Sequence, residues 1–242
     1  RGAPEAPHDD PKALQPMDET TAGTPHNDEP ALPGFPPAPA PAASASPYRV
    51  LARKYRPRTF DDLIGQEAMV RTLSNAFETG RIPQAWMLTG VRGVGKTTTA
   101  RILARGLNYQ KQDGSGGPTI HMPELGLHCE AIMESRHVDV LEMDAASHTG
   151  IDDVRQIIDG IRYSPVSARY KVYIIDEVHM LSEKAFNAFL KTLEEPPPHV
   201  KFIFATTEIR KVPVTILSRC QRFDLRRIEA DKLVAHLGRI CE

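Results

Sequence analysis

The sequence has little cysteine: Cys129, Cys220 and Cys241 are its three, and no two stand in a CxxC spacing. That excludes a disulfide scaffold and suits a reducing compartment. Long apolar runs are also missing. No stretch approaches the ~20 residues of a membrane-spanning helix, and the first 30 residues lack the basic and apolar blocks of a signal peptide. A soluble, cytoplasmic protein without a membrane partner is expected. An excess of one charge is absent too, with a formal net charge of −1 over 242 residues. This excludes the strongly basic balance of a dedicated nucleic-acid-binding domain.

These deficits are unevenly distributed. Residues 1–47 carry seven acids, two bases and twelve of the 21 prolines, with almost no large apolar side chains. So little surface could be buried there that a disordered tail is predicted. The remainder holds 28 bases and 24 acids, a mild excess that permits a local basic face.

From Tyr48 onward, short apolar runs alternate with longer amphipathic stretches, the pattern of a parallel sheet covered by helices. An α/β fold is predicted. Its strands are Ala85–Leu88, Val138–Met143, Lys171–Ile175, Lys201–Thr206 and Arg222–Leu225, with helices at Glu67–Glu78, Lys96–Leu107, Ile151–Ile161 and Ser182–Glu194. Tyr109–Leu127, with four of its residues Gly or Pro between 114 and 118, reads as an inserted loop. DKLVAHLGRICE reads as an amphipathic helix without a stop signal, so the chain is expected to continue past Glu242. The expected organisation is a tail over 1–47, a core over 48–225 with the insertion at 109–127, and the start of a helical lid over 226–242.

Gly90–Thr97, GVRGVGKT, matches the phosphate-loop pattern GxxxxGK followed by Ser or Thr, directly after the apolar run AWML and before a helix-forming run. Glycines let the backbone curl so that N–H groups face phosphate, and the helix N-terminus adds its dipole. The residues expected to line the phosphates are Arg92, Gly93, Val94, Gly95, Lys96, Thr97 and Thr98. Lys96 reaches the β and γ oxygens and Thr97 offers its hydroxyl to Mg²⁺. ATP and Mg²⁺ are the expected ligands.

KVYIIDE places Asp176 and Glu177 at the carboxyl end of a buried strand, where α/β sheets present ligand-binding groups. Asp176 would hold Mg²⁺. Glu177, just beyond it, can orient and polarise a water, which marks a hydrolase. KFIFATTE…PVTILSRC adds Thr206 and Thr207 at a strand end as sensors of the γ-phosphate, and Arg219 as a cation for developing charge. The sequence shows no evident acidic partner for Arg219.

Taken together, YRVLARKYRPRTFDDLIGQE, GVRGVGKTTTARILARGLN, EMDAASHTGIDDVRQ, KVYIIDEVHMLSEKAFNAFLKTLEEPP and PVTILSRCQRF resemble the tau/gamma family of bacterial DNA polymerase III clamp-loader subunits. The resemblance covers residues 48–242. It implies a P-loop AAA+ core and an ATPase motor that opens the ring-shaped sliding clamp and places it on primer–template DNA. The implied partners are the delta and delta-prime subunits and further tau/gamma copies. By motif it makes Lys96, Glu177, Thr207 and Arg219 catalytic, with Thr207 as first sensor and Arg219 as an arginine finger acting on the neighbouring subunit's ATP. It places the adenine pocket at Val50, Ala52, Arg56, Pro57, Ile64 and Gly65. DNA contacts map to Thr149 within His148–Gly150, and to Arg155 and Lys191.

Two departures from the family stand out. Many members carry four zinc-binding cysteines after the phosphate-loop helix, and the corresponding residues here are Tyr109, Pro123, Gly126 and Cys129. One thiol cannot close a tetrahedral site, and His121, His128 and His137 lack ligand-like spacing, so a metal-free loop is expected. The family's second sensor, an arginine of the lid, is not reached by Glu242. Two other readings stand beside the motor: a non-hydrolysing scaffold subunit of the same assembly, and another AAA+ remodeller such as a branch-migration motor.

Overall fold

The computed structural model describes residues 55–147 and 151–241. The tail over 1–47, Val50, Ala52 and Thr149 lie outside the described residues. The described elements run α1 (Glu67–Glu78), β1 (Ala85–Thr89), α2 (Lys96–Leu107), α3 (Cys129–Met133), β2 (Val140–Asp144), α4 (Ile151–Ile161), β3 (Lys171–Asp176), α5 (Glu183–Glu194), β4 (Val200–Thr206), α6 (Val214–Leu217), β5 (Gln221–Asp224) and α7 (Ala230–Cys241). Short 3₁₀ turns at Val178–Met180 and Ile209–Lys211 follow β3 and β4.

The five strands form one parallel sheet in the order β2-β3-β4-β1-β5. The central strands β3, β4 and β1 are buried on both faces and read as near-continuous apolar runs, whereas the edge strands β2 (VLEMD) and β5 (QRFD) are partly exposed and carry polar residues. Trp86, Leu88, Val172, Ile174, Ile203 and Ala205 pack on the α1/α2 side. Their neighbours Met87, Tyr173, Ile175, Phe202 and Phe204 pack with α4 and α5 on the other. Tyr173, Phe202 and Phe204 stack, with ring centroids 5.6 and 5.7 Å apart, and Phe189 of α5 meets Phe202 and Phe204 edge-on.

The register aligns the strand ends. Thr89 pairs with Thr206 and with Asp224, and Asp144 pairs with Asp176. Polar residues are thereby gathered along the carboxyl edge, where the loops that carry chemistry emerge.

Three expectations shift in detail. The second strand begins at Val140 rather than Val138, because the backbone turns at His137, whose carbonyl accepts from Val140 N. Ser182 does not open α5 but caps it, its hydroxyl accepting from Ala185 N at 3.3 Å. The 109–127 stretch contains no helix or strand, yet it is anchored: Tyr109, Ile120 and Met122 are buried in the core, and Thr119 N and Leu127 N donate to Gly106 O and Gln110 O. No helix among the described residues is long and apolar enough to cross a membrane.

Candidate functional site

The loop from β1 to α2 turns on three glycines at positive φ: Gly90 (+149°), Gly93 (+82°) and Gly95 (+98°). At Gly90 a Cβ would lie 2.8 Å from Leu225 O, so glycine is required there by space as well as by backbone angle. Gly95 stands at the N-cap of α2, and no side chain caps that helix. Its first N–H groups therefore face the loop with the positive end of the helix dipole behind them.

Lys96, the first residue of α2, is 6% exposed. Its Nζ donates to Gly90 O at 3.0 Å and Val91 O at 3.3 Å. Among the described residues no ion pair joins it to a carboxylate. Thr97 Oγ1 donates to Asp176 Oδ2 at 2.5 Å, joining the phosphate loop to the end of β3.

Glu177 adopts a left-handed conformation, φ 46° and ψ 42°, uncommon for a residue with a side chain. This turn lets its N–H donate to Asp176 Oδ1 at 2.9 Å. Its Oε2 accepts from Thr207 Oγ1 at 3.0 Å. Thr97, Asp176, Glu177 and Thr207 thus form one contiguous group, lining a cleft of about 990 Å³ together with Val91 and Arg92.

The same cleft is lined by residues that sequence reasoning passed over. Glu142 and Asp144 of β2 face it, and Glu142 is held by a two-pronged ion pair with Arg101 of α2 at 2.7 and 2.8 Å. His179 also lines it, buried beside Glu177. The only sequence signal for His179 was its place in IIDEVH.

The other predicted residues lie elsewhere. Arg56 is exposed and Pro57 half-buried. Ile64 lines a separate cavity of about 650 Å³ between α1 and α7. Gly65, at φ +76°, sits against Ile228, just before α7. Arg155 and Lys191 are exposed on α4 and α5, and Arg155 is engaged with Asp152 at 2.8 Å.

Arg219 corrects the expectation of a cation without an acidic partner: its Nη2 lies 2.6 Å from Glu194 Oε1 at the end of α5, and its Nη1 donates to Thr215 O at 2.7 Å. Arg219 does not line the cleft that holds Lys96's loop.

Of Tyr109, Pro123, Gly126 and Cys129, three meet in space. A Cβ on Gly126 would lie 3.1 Å from both Cys129 Sγ and Tyr109 Cδ2. The ring and thiol fill the space. His128 and His137, nine residues apart, come together at 2.9 Å, while His121 lines the cavity between α1 and α7. Among the described residues no three His, Cys, Asp or Glu side chains are grouped to hold a metal.

Residues 65–229 match the family profile described as DNA polymerase III, delta subunit. The chain is 49% identical over 193 residues to DNA polymerase III subunit tau of Escherichia coli K12, covering 80% of this chain and 29% of that protein. It is 50% identical over 190 residues to subunit gamma of Buchnera aphidicola (Acyrthosiphon pisum), covering 78% and 51%. Among solved structures, a RuvB mutant of Thermotoga maritima matches with a TM-score of 0.54 at 19% identity, covering 77% of this chain and 54% of that one. That likeness shows a shared fold.

Proposed function

Because the chain belongs to the family described as DNA polymerase III, delta subunit, we propose that it is an ATP-hydrolysing motor subunit of the bacterial replicative clamp loader. It would load the sliding clamp onto primed DNA, in the cytoplasm, within the DNA polymerase III holoenzyme. The chain spans 29% and 51% of the lengths of the two curated relatives named above.

The observation that carries the reading is Lys96, a buried ammonium that meets two neutral carbonyls beside an uncapped helix N-terminus. Positive charge concentrated without a carboxylate is complemented by the polyphosphate of ATP. Mg²⁺, when bound, neutralises charge on the phosphate oxygens; Thr97 and Asp176, already in contact, are the residues to hold it. The backbone N–H groups of Arg92–Thr98 grip the phosphates. Glu177 accepts the proton of the attacking water, and Thr207 fixes one of its oxygens.

Arg219 lies away from this chain's own cleft, which suits a finger that serves a neighbouring subunit. Arg56, Pro57, Ile64 and Gly65, with Val50 and Ala52, are assigned to the adenine. Thr149, Arg155 and Lys191 are assigned to the phosphates of primer–template DNA, which gives affinity without sequence reading. Partners are the delta and delta-prime subunits, further tau/gamma copies and the clamp. No zinc is assigned.

The test is ATP turnover by the full-length chain assembled with its partner subunits, with and without sliding clamp and primed DNA. Stimulation by both is expected. Turnover indifferent to the clamp would sink the clamp-loading assignment.

A further inference from the structure

His179 sits in the 3₁₀ turn directly after Glu177, with a side chain only 6% exposed. Its ring lies between the ends of two strands. Nδ1 is 3.0 Å from Thr206 Oγ1 at the end of β4 and 3.4 Å from Glu177 Oε2 beyond β3. Nε2 is 3.5 Å from Glu208 Oε1. Thr206 is itself fully buried and its hydroxyl oxygen accepts from Glu208 N at 3.0 Å, so its position is set by the backbone.

Both Thr207 Oγ1 and His179 Nδ1 approach the same carboxylate oxygen of Glu177, Oε2, which leaves Oε1 free of these contacts. Among the described residues the Glu177 carboxylate takes one side-chain hydrogen bond, from Thr207 Oγ1, and it borders the cleft. We infer that His179 is a positioning residue: its ring, pinned through Nδ1 to Thr206 Oγ1, stands against Oε2 of Glu177 and keeps that oxygen at the Thr206–Thr207 strand end, so that Oε1 is the oxygen presented to water. The inference rests on the ATPase reading above. It makes the aim of Glu177 depend on where β4 ends relative to β3, a register set by pairs such as Ile175 with Phe204.

If His179 only filled space, a side chain of similar bulk would serve in its place. If Nδ1 carries the role, Asn supplies a polar atom at that position while Gln places its amide one carbon further out. The experiment compares His179→Asn and His179→Gln in the full-length chain assembled with its clamp-loader partners, clamp and primed DNA, reading kcat, KM for ATP and thermal midpoint. The expected result is a kcat within ~3-fold of the unsubstituted complex for Asn and a loss of ~10- to 100-fold for Gln, with KM within ~3-fold in both. Equal kcat in the two variants, at any level, overturns the inference, as does a loss expressed in KM alone. Absence of turnover in the unsubstituted complex would instead overturn the ATPase reading, and the inference with it.

Discussion

Arg219 and Glu194 form an ion pair of 2.6 Å that joins the loop before β5 to the C-terminal end of α5. Both partners are partly exposed, and such pairs contribute about 0–1 kcal/mol. The contact therefore orients the guanidinium more than it stabilises the fold. Arg219→Ala is expected to leave thermal stability within a degree or two and ATP binding unchanged, while turnover by the assembled complex falls by about 10³-fold or more. A titration with a fluorescent ATP analogue, run beside a phosphate-release assay, separates the two effects.

Lys96 and Glu177 are assigned to different steps and should separate in the same way. Lys96→Ala removes the buried cation assigned to the phosphates and is expected to weaken ATP binding by about 100-fold or more. Glu177→Gln keeps an acceptor for the Thr207 hydroxyl but no longer accepts a proton, so Kd should stay within ~3-fold while kcat drops about 10²- to 10⁴-fold. Matched Kd and kcat losses in Glu177→Gln would contradict the role assigned to its carboxylate.

The His128–His137 contact gives a pH dependence with a definite sign. Asp139 N donates to His137 Nδ1, so His137 carries its proton on Nε2 and donates to His128 Nδ1, and His128 Nε2 in turn faces Gln110 Oε1 at 3.3 Å. This chain requires both rings to be neutral. Burial lowers the pKa of both rings; His128 lowers that of His137 further, and the nearby Asp139 carboxylate opposes the shift in each. With folded values below the ordinary 6.5, the unfolded chain binds more protons, so this stability is complete above about pH 6.5 and is lost as pH falls below it. The slope is at most about 1.4 kcal/mol per pH unit for each ring. Urea unfolding from pH 8 to 5 should show it, and a His128→Gln, His137→Asn double variant should flatten the curve.

Much of the fold was legible because its signals are local. Strands buried on both faces produce unbroken runs such as KFIFAT, and α1, α2 and α4 show helical periodicity over eleven or twelve residues. The five-residue α3 and four-residue α6 are too short to carry a period. The Gly90–Thr97 loop is a contiguous motif and was readable as one. Glu194 with Arg219, and His179 with Thr206, are pairings across 25 and 27 residues that exist only once α5 and β4 are placed. The 109–127 stretch has the composition of a surface loop, yet Tyr109, Ile120 and Met122 anchor it, because space opened beside Gly106 and Gly126 admits it closely.

That close approach reverses the usual effect of glycine in a helix. Gly238 lies in exposed α7, where an added Cβ meets nothing within 4 Å, so Gly238→Ala should stabilise by about 0.5–1 kcal/mol through lower chain entropy in the unfolded state. Gly106 is also helical, near the end of α2, but there a Cβ would stand 2.7 Å from Thr119 O and 3.1 Å from Phe60 Cε2. Thr119 N already donates to Gly106 O, so the 109–127 stretch cannot retreat without losing that bond, and Phe60 is fixed in the core. Gly106→Ala should therefore destabilise by about 1–3 kcal/mol. Chemical denaturation of the two variants side by side provides the check: midpoints moving in the same direction would mean that the 109–127 stretch yields to Gly106 rather than packing against it.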